Sequence, residues 1–310
     1  MLFFCLALSL FLLIIVGGFY TFVVACVRRK EQSWLVKEQI DKTAYKDYYD
    51  YILYSDKWLR EHKAKDVFAM SEDGLQLHGL WVAAKNPRGT ILFAHGYRST
   101  YLVDLSLALE MYYGYGFNLL IPDQRAHGKS QGRYITFGVK ESDDMKCWIN
   151  YHNETFSNQP IVLVGLSMGA STMMYLADQD LPSNVSGIIA DCGFSSPKEI
   201  IASVFRAVTH MPPKLCLWVT NICTKLFAGF RLDEKDSRIL LRNSKLPVFL
   251  IHGEDDGFVP CEMTKEAFAV CRQPKMILLV DGADHGHSYI VDQKLYQRKV
   301  KEFLYLCGVI

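Results

Sequence analysis

Ser167 sits at the centre of Gly165-Leu166-Ser167-Met168-Gly169. The pentapeptide follows the apolar run Ile161-Val162-Leu163-Val164, which reads as a buried strand, and precedes residues 170–178, which read as a helix. A G-x-S-x-G run between a strand and a helix is the pattern of a nucleophile elbow. So tight a turn requires small residues two before and two after the serine, because any side chain there would strike neighbouring backbone. The serine is pushed out above the sheet, where the Met168 N–H at the start of the helix can face a developing oxyanion. Taken alone the pentapeptide is a weak signal, since glycine and serine are common. A hydroxyl becomes a nucleophile only beside a base, so the chain must also supply a base, an acid and a second oxyanion donor.

Each of these occurs after another apolar run. His95-Gly96-Tyr97 follows residues 90–94, and the Tyr97 N–H is the expected partner of the Met168 N–H in holding an oxyanion. The Tyr97 hydroxyl is expected to line the acyl pocket rather than to join the chemistry. The acid lies in His252-Gly253-Glu254-Asp255-Asp256-Gly257-Phe258-Val259-Pro260. Asp256 opens an Asp-Gly turn four residues before Pro260 and is favoured over Glu254 and Asp255, which are expected to be solvated. The base lies in Asp281-Gly282-Ala283-Asp284-His285-Gly286-His287-Ser288-Tyr289. His285 is favoured because it sits in the loop among small residues, whereas His287 is expected to open a helix. The acid need only orient the imidazole and stabilise its charged form. His127, in Asp123-Gln124-Arg125-Ala126-His127-Gly128-Lys129-Ser130, precedes the serine; a strand-elbow triad runs serine, acid, histidine. That segment is therefore expected to be a structural loop below the elbow, with Asp123 and Arg125 paired or hydrogen-bonded.

These parts need a scaffold that brings strand ends together. Residues 66–84 read as a hairpin turning at Ser71-Glu72-Asp73-Gly74. Strands are then expected at 90–94, 117–121, 161–164, 187–190, 248–251 and 276–280, with helices near 101–113, 139–152, 167–178, 264–270 and 293–306. Such alternation specifies a parallel sheet covered on both faces, with ligands beyond the carboxyl ends of its strands. Every motif above falls at such an end.

On these motifs the chain resembles the serine-dependent α/β-hydrolases, in the branch grouped with serine aminopeptidases and monoacylglycerol lipase-like enzymes, and it is similar to bacterial membrane-anchored members. The resemblance covers roughly residues 58–306, including Leu77-His78-Gly79 beside the motifs already quoted. It implies an α/β-hydrolase fold and a Ser167, Asp256, His285 triad, with neither cofactor nor metal required. Between Asp191-Cys192-Gly193-Phe194 and Leu246-Pro247 lies an apolar insert, at about 195–245, rich in residues such as Ile200, Phe205, Leu217, Trp218 and Leu226. Material in this position is expected either to form a helical lid over the nucleophile, suiting an acyl substrate, or simply to cover the sheet. Cys192 reads as a small packing residue, because no base is placed for it. The expected function is ester cleavage through an acyl-enzyme. A peptidase or amidase, the alternative, would need a site for an amine, for which Asp191 and Glu199 are the nearby candidates; the third reading is a non-catalytic binding module that keeps the fold, against which the intact triad argues.

Residues 2–27 carry no charge, and Arg28-Arg29-Lys30 ends the run. A bilayer crossing needs about 20 such residues. A cleaved signal peptide would want a positive charge ahead of a shorter apolar core, so residues 1–30 are expected to be a retained single-pass anchor with a basic flank. The positive-inside rule then puts residues 66–310, the catalytic domain, on the cytoplasmic side. Between them, 31–65 is charged and rich in aromatic residues, including Trp34, Tyr45, Tyr48 and Trp58, and is expected to be helical, at a membrane interface or packed on the catalytic domain. With 34 basic and 33 acidic residues, nothing points to a nucleic-acid partner. The nine cysteines include no C-x-x-C pair, which argues against a disulfide framework or a zinc site. The expected partners are an ester or acyl small molecule and the lipid bilayer.

Overall fold

A computed structural model describes residues 2–30, 35–40, 48–156 and 158–310. In chain order these form α1 (Leu2–Cys26), α2 (Lys37–Ile40), α3 (Tyr49–Glu61), β1 (Lys65–Met70), β2 (Gln76–Val82), β3 (Gly89–Ala94), α4 (Tyr101–Asp104), α5 (Ser106–Gly114), β4 (Phe117–Pro122), α6 (Val139–Thr155), β5 (Ile161–Leu166) and α7 (Met168–Met174). There follow β6 (Val185–Asp191), α8 (Pro197–Thr209), α9 (Lys214–Cys223) with a π-helical turn over Thr224–Ala228, α10 (Ser237–Arg242), β7 (Val248–Gly253), α11 (Cys261–Val270), β8 (Lys275–Val280), α12 (Ser288–Val291) and α13 (Gln293–Leu306). The eight strands form one sheet in the order β1-β2-β4-β3-β5-β6-β7-β8. β2 pairs antiparallel with both β1 and β4, and all the other pairs are parallel. The expected hairpin and all six later strands are present: this is an α/β-hydrolase fold.

The central strands β3, β4 and β7 are buried at every position because successive side chains enter opposite faces and both faces are covered. Ile91 and Phe93 of β3, Val162 and Val164 of β5, and Phe249 and Ile251 of β7 share one core with Tyr112 of α5 and Val300 and Phe303 of α13. Their neighbours Leu92, Leu163 and Leu250 enter the other, with Trp148 of α6 and Met173 of α7. A third cluster lies above the strand ends. It joins Phe22 and Cys26 of α1 to Met168, Phe194 and the inner faces of α8 and α9.

Some expected helices differ in extent. The helix at 101–113 is broken at Leu105 into α4 and α5, where Asp104 turns back toward the loop after β3. The helix at 167–178 ends at Met174; beyond it Leu176 and Ala177 donate to carbonyls three residues back, which tightens the chain into turns. In the aromatic segment, Trp34 and Tyr45 lie outside the described residues. Its later half, α3, buries Ile52, Ser55, Trp58 and Leu59 against the sheet domain, the packing alternative among the two expected for it.

α1 is the one described helix long and apolar enough to cross a membrane, by length and composition, with a mean hydropathy of 2.5 over Phe3–Cys26. A signal sequence would meet the same measure. Its carboxyl-terminal half is built into the fold: Ile135 N–H donates to Cys26 O at 2.7 Å, Val27 bridges to Tyr134, and Arg28 donates to the carbonyls of Gly128 and Ser130.

Candidate active site

β5 delivers Ser167 to the rim of the sheet. The serine lies between strand and helix with φ 56° and ψ −118°, a conformation side-chain-bearing residues rarely hold. The turn is tight enough that a Cβ on Gly165 would stand 2.2 Å from the Gly169 carbonyl oxygen, and one on Gly169 would stand 2.0 Å from that of Ala94. Small residues are therefore obligatory at both flanks. The Ser167 N–H donates to Asp191 O at 2.8 Å, which pins the elbow to β6.

The loops after β7 and β8 bring the other two side chains to it. His285 Nε2 lies 2.9 Å from Ser167 Oγ, and His285 Nδ1 lies 2.7 Å from Asp256 Oδ2. With Nδ1–H directed at the carboxylate, Nε2 is left to accept from the hydroxyl. The Asp256 carboxylate is fully buried. Its Oδ1 accepts from the N–H groups of Phe258 and Val259, and its Oδ2 is also 3.0 Å from His252 Nε2. Burial opposes its ionisation, but the hydrogen bonds from His252 and His285 hold the carboxyl well below the usual range. His252 is itself held at Nδ1 by Thr264. Phe258 leans its ring edge on the His285 imidazole, centroids 5.1 Å apart.

Opposite the relay stands the loop after β3. Among the described residues neither the Tyr97 N–H nor the Met168 N–H donates to a protein group, so both are open to a ligand. The preceding N–H, that of Gly96, is occupied by Asp104 Oδ2 at 2.5 Å, while Asp104 Oδ1 accepts from the Ser99 hydroxyl at 2.6 Å. Asp104 is half-buried, and its desolvation raises the carboxyl pKa. It braces the loop that carries the Tyr97 N–H. Gly96 is required here for space: a Cβ would stand 3.3 Å from that of Ser167 and 2.9 Å from the Asp104 carboxylate.

The Tyr97 side chain departs from expectation. Its hydroxyl donates to Ala25 O at 2.8 Å and accepts from Arg98 Nε at 2.6 Å, and its ring stacks on Phe137. The carbonyls that end α1 lack intrahelical donors, and they draw the phenol away from an acyl-lining position. Cys192 also corrects the sequence reading, for its Sγ is 4.0 Å from His285 Nε2. A base is thus beside it, yet burial and the neighbouring Asp191 and Asp256 carboxylates raise its thiol pKa well above the ordinary value. It remains a protonated packing group.

Other candidates fall where expected or find separate partners. His127 is buried and accepts the Arg98 N–H at Nε2. Asp123 binds His78, whereas Arg125 clamps Asp144 and Asp73, so the two are held by separate partners and not by each other. Glu254 and Asp255 are exposed. His287 caps α12 and meets the Tyr48 hydroxyl at 2.9 Å. Asp191 is buried against Ser288, its carboxyl pushed up to about 6 by burial, and Glu199 is tied to Arg238 at 2.6 Å. Neither presents a free carboxylate to an amine. Sequence reading missed Asp104 and His252. Each lies in or near a quoted motif, but only the fold shows which atoms they hold.

A family model described as "Serine aminopeptidase, S33" matches residues 85–245, more than half of the chain. YqkD of Bacillus subtilis (strain 168) is 27% identical over 293 residues, covering 94% of this chain and 92% of its own. YfhR of Escherichia coli (strain K12) is 24% identical over 247 residues, covering 77% and 78%. Among solved structures, the esterase Pf2001 of Pyrococcus furiosus superposes with a TM-score of 0.64 at 25% identity, over 80% of this chain and 93% of that one. The esterase RhEst1 of Rhodococcus shares the fold at a TM-score of 0.56 and 18% identity, over 77% and 98%.

Proposed function

As this chain belongs to the α/β-hydrolase family described as serine aminopeptidase, S33, we propose that it cleaves carboxylic esters through an acyl-enzyme formed on Ser167. Ser167 Oγ attacks the ester carbonyl while its proton passes to His285 Nε2, and Asp256 stabilises the imidazolium. The oxyanion accepts from the Tyr97 and Met168 N–H groups. Collapse breaks the bond to the alcohol, which leaves with the proton from His285. Water then attacks the acyl-enzyme by the same relay, and the carboxylic acid departs.

The observation that carries this reading is the unbroken relay, 2.9 Å from Oγ to Nε2 and 2.7 Å from Nδ1 to Oδ2, facing two unoccupied backbone donors. Ester rather than peptide cleavage is favoured by the engagement of Asp191 and Glu199 elsewhere and by the likeness to the Pyrococcus esterase. A panel of p-nitrophenyl acyl esters against aminoacyl-arylamides tests it. Turnover of the arylamides alone would reverse the assignment, and failure of a fluorophosphonate to label Ser167 would end it.

The same reading takes α1 as a retained membrane span with the catalytic domain on the cytoplasmic side. Arg28-Arg29-Lys30 at its carboxyl end supports that orientation, and the incorporation of Phe22 and Cys26 into a buried cluster supports retention. The substrates are then acyl or lysophospholipid-like esters. Protease protection of intact cells tests the side: a domain cleaved from outside would refute it.

A further inference from the structure

α1 is covered by protein on one side over only part of its length. From Ile14 onward one of its faces is turned to protein, through Ile14, Gly17, Gly18, Thr21 and Phe22. On its other side the helix stays apolar and bare alongside this contact, at Val16, Phe19, Tyr20 and Val23. The hydrocarbon layer is about 30 Å thick and takes about 20 helical residues. A span that takes in this bare surface therefore runs past Gly17 and Gly18, as far as Val23.

Those two glycines are where α9 docks. A Cβ on Gly18 would stand 2.4 Å from Val219 Cβ and 2.7 Å from Cys216 O, and Thr220 Oγ1 donates to both Gly18 O and Cys216 O. Close approach over small residues, with a hydroxyl satisfied within the pair, is how helices associate in lipid. The outward face of α9 and the following turn is apolar and bare: Leu215, Trp218, Ile222, Leu226 and Phe227 are all exposed. Phe227 also lies against the rings of Phe19 and Phe22 of α1, so the two exposed surfaces are continuous. No charged residue stands between Lys214 and Lys225, and both lysines are exposed, able to extend their ammonium groups to the headgroups.

We infer that α9 and its π-helical turn lie at hydrocarbon depth in the leaflet where α1 ends, so that lipid acyl chains cover the outer face of this insert. The inference rests on α1 being a span. On its inner side the same insert packs Leu217 and Val219 into the cluster that holds Met168 of the elbow. The inner side of the segment thus belongs to the same apolar cluster as the elbow. The substrate class that follows is an ester whose acyl chain partitions into the bilayer and reaches Ser167 from the membrane side.

The test uses the full chain reconstituted in phosphatidylcholine vesicles, with and without lipids dibrominated along their acyl chains. Trp218 is one of five tryptophans, and its exposed side chain makes Trp218→Phe compatible with folding. Bromolipid should quench the wild-type emission, and W218F should lose most of that quenching. Equal quenching in both proteins, with the chain floating with vesicles and resisting alkaline carbonate extraction, would overturn the inference while leaving the anchor intact. A chain that fails to float would overturn both. Ester turnover enters neither result, so failure of the esterase reading would be seen separately, in the acyl-ester panel.

Discussion

Replacing Asp256 with asparagine removes a charge while keeping most of a shape. The Asn Oδ1 can still accept from the Phe258 and Val259 N–H groups, so the turn after β7 is retained. What is lost is the anion 2.7 Å from His285 Nδ1. In the transition state the imidazole becomes an imidazolium whose charge lies about 4 Å from the carboxylate charge. At an effective dielectric of about 20 that attraction is about 4 kcal/mol. At 1.36 kcal/mol per tenfold, kcat should fall by about 10³ from this term alone. An amide N–H facing Nδ1 would also favour the tautomer protonated at Nε2, which cannot accept from Ser167, and would carry the loss toward about 10⁴. The assay is steady-state hydrolysis of a short-chain p-nitrophenyl ester, with KM near the wild-type value, alongside the rate of fluorophosphonate labelling. A D256N protein with kcat within about tenfold of wild type would show that the relay is not the reaction's base system.

The remaining predictions bear on stability and positioning. Because Asp256 is held below the usual carboxylate range, its stabilising contribution is full above about pH 4 and is lost as pH falls through the native value. Wild type should therefore lose stability more steeply than D256N in acid denaturation below about pH 4. Ser167→Gly should abolish labelling yet raise stability by about 1 kcal/mol, by relieving the positive φ; a lower melting temperature would count against stored strain. Gly169→Ala should cost at least about 2 kcal/mol in chemical denaturation, since the new methyl meets the Ala94 carbonyl. Asp104→Ala frees the Gly96 N–H and the Ser99 hydroxyl and should lower kcat by about tenfold to a hundredfold, with Ser167 still labelled. An unchanged kcat would show that the loop is held by other contacts.

The strands and the relay were legible because their signals are local. Apolar runs such as residues 161–164 and 248–251 announce buried strands, and Ser167, Asp256 and His285 each sit in a short motif at a strand end. Chain order favours His285 over His127 for the place beside Ser167, and His285 is the one that stands there. What stayed hidden depends on contacts between distant segments. The Asp104 carboxylate reads as one more residue of a helix until the break at Leu105 turns it under Gly96. The Tyr97 hydroxyl has a partner more than seventy residues earlier, in a helix whose sequence speaks only of hydrophobicity. Cys192 comes near His285 because β6 lies between β5 and β7 in the sheet, an adjacency that no spacing encodes. For the aromatic segment the residues left two places open, a membrane interface or the catalytic domain; what decides for Trp58 is its contact with Tyr113 and the core beneath.

The grip on the end of α1 is exerted through main-chain oxygens: Arg98 reaches those of Val24 and Val27, and Tyr97 reaches that of Ala25. These bonds are indifferent to the side chains of Val24, Ala25 and Val27, whereas deleting residues 24–27 cannot be compensated from solution without rebuilding the loop. A fragment trimmed after Lys30 for easier purification would leave a guanidinium and a phenol without their acceptors, next to the Tyr97 N–H that we propose donates to the oxyanion. Sluggish turnover in such a preparation would report a slackened loop, and the intrinsic chemistry should be measured on the untrimmed chain.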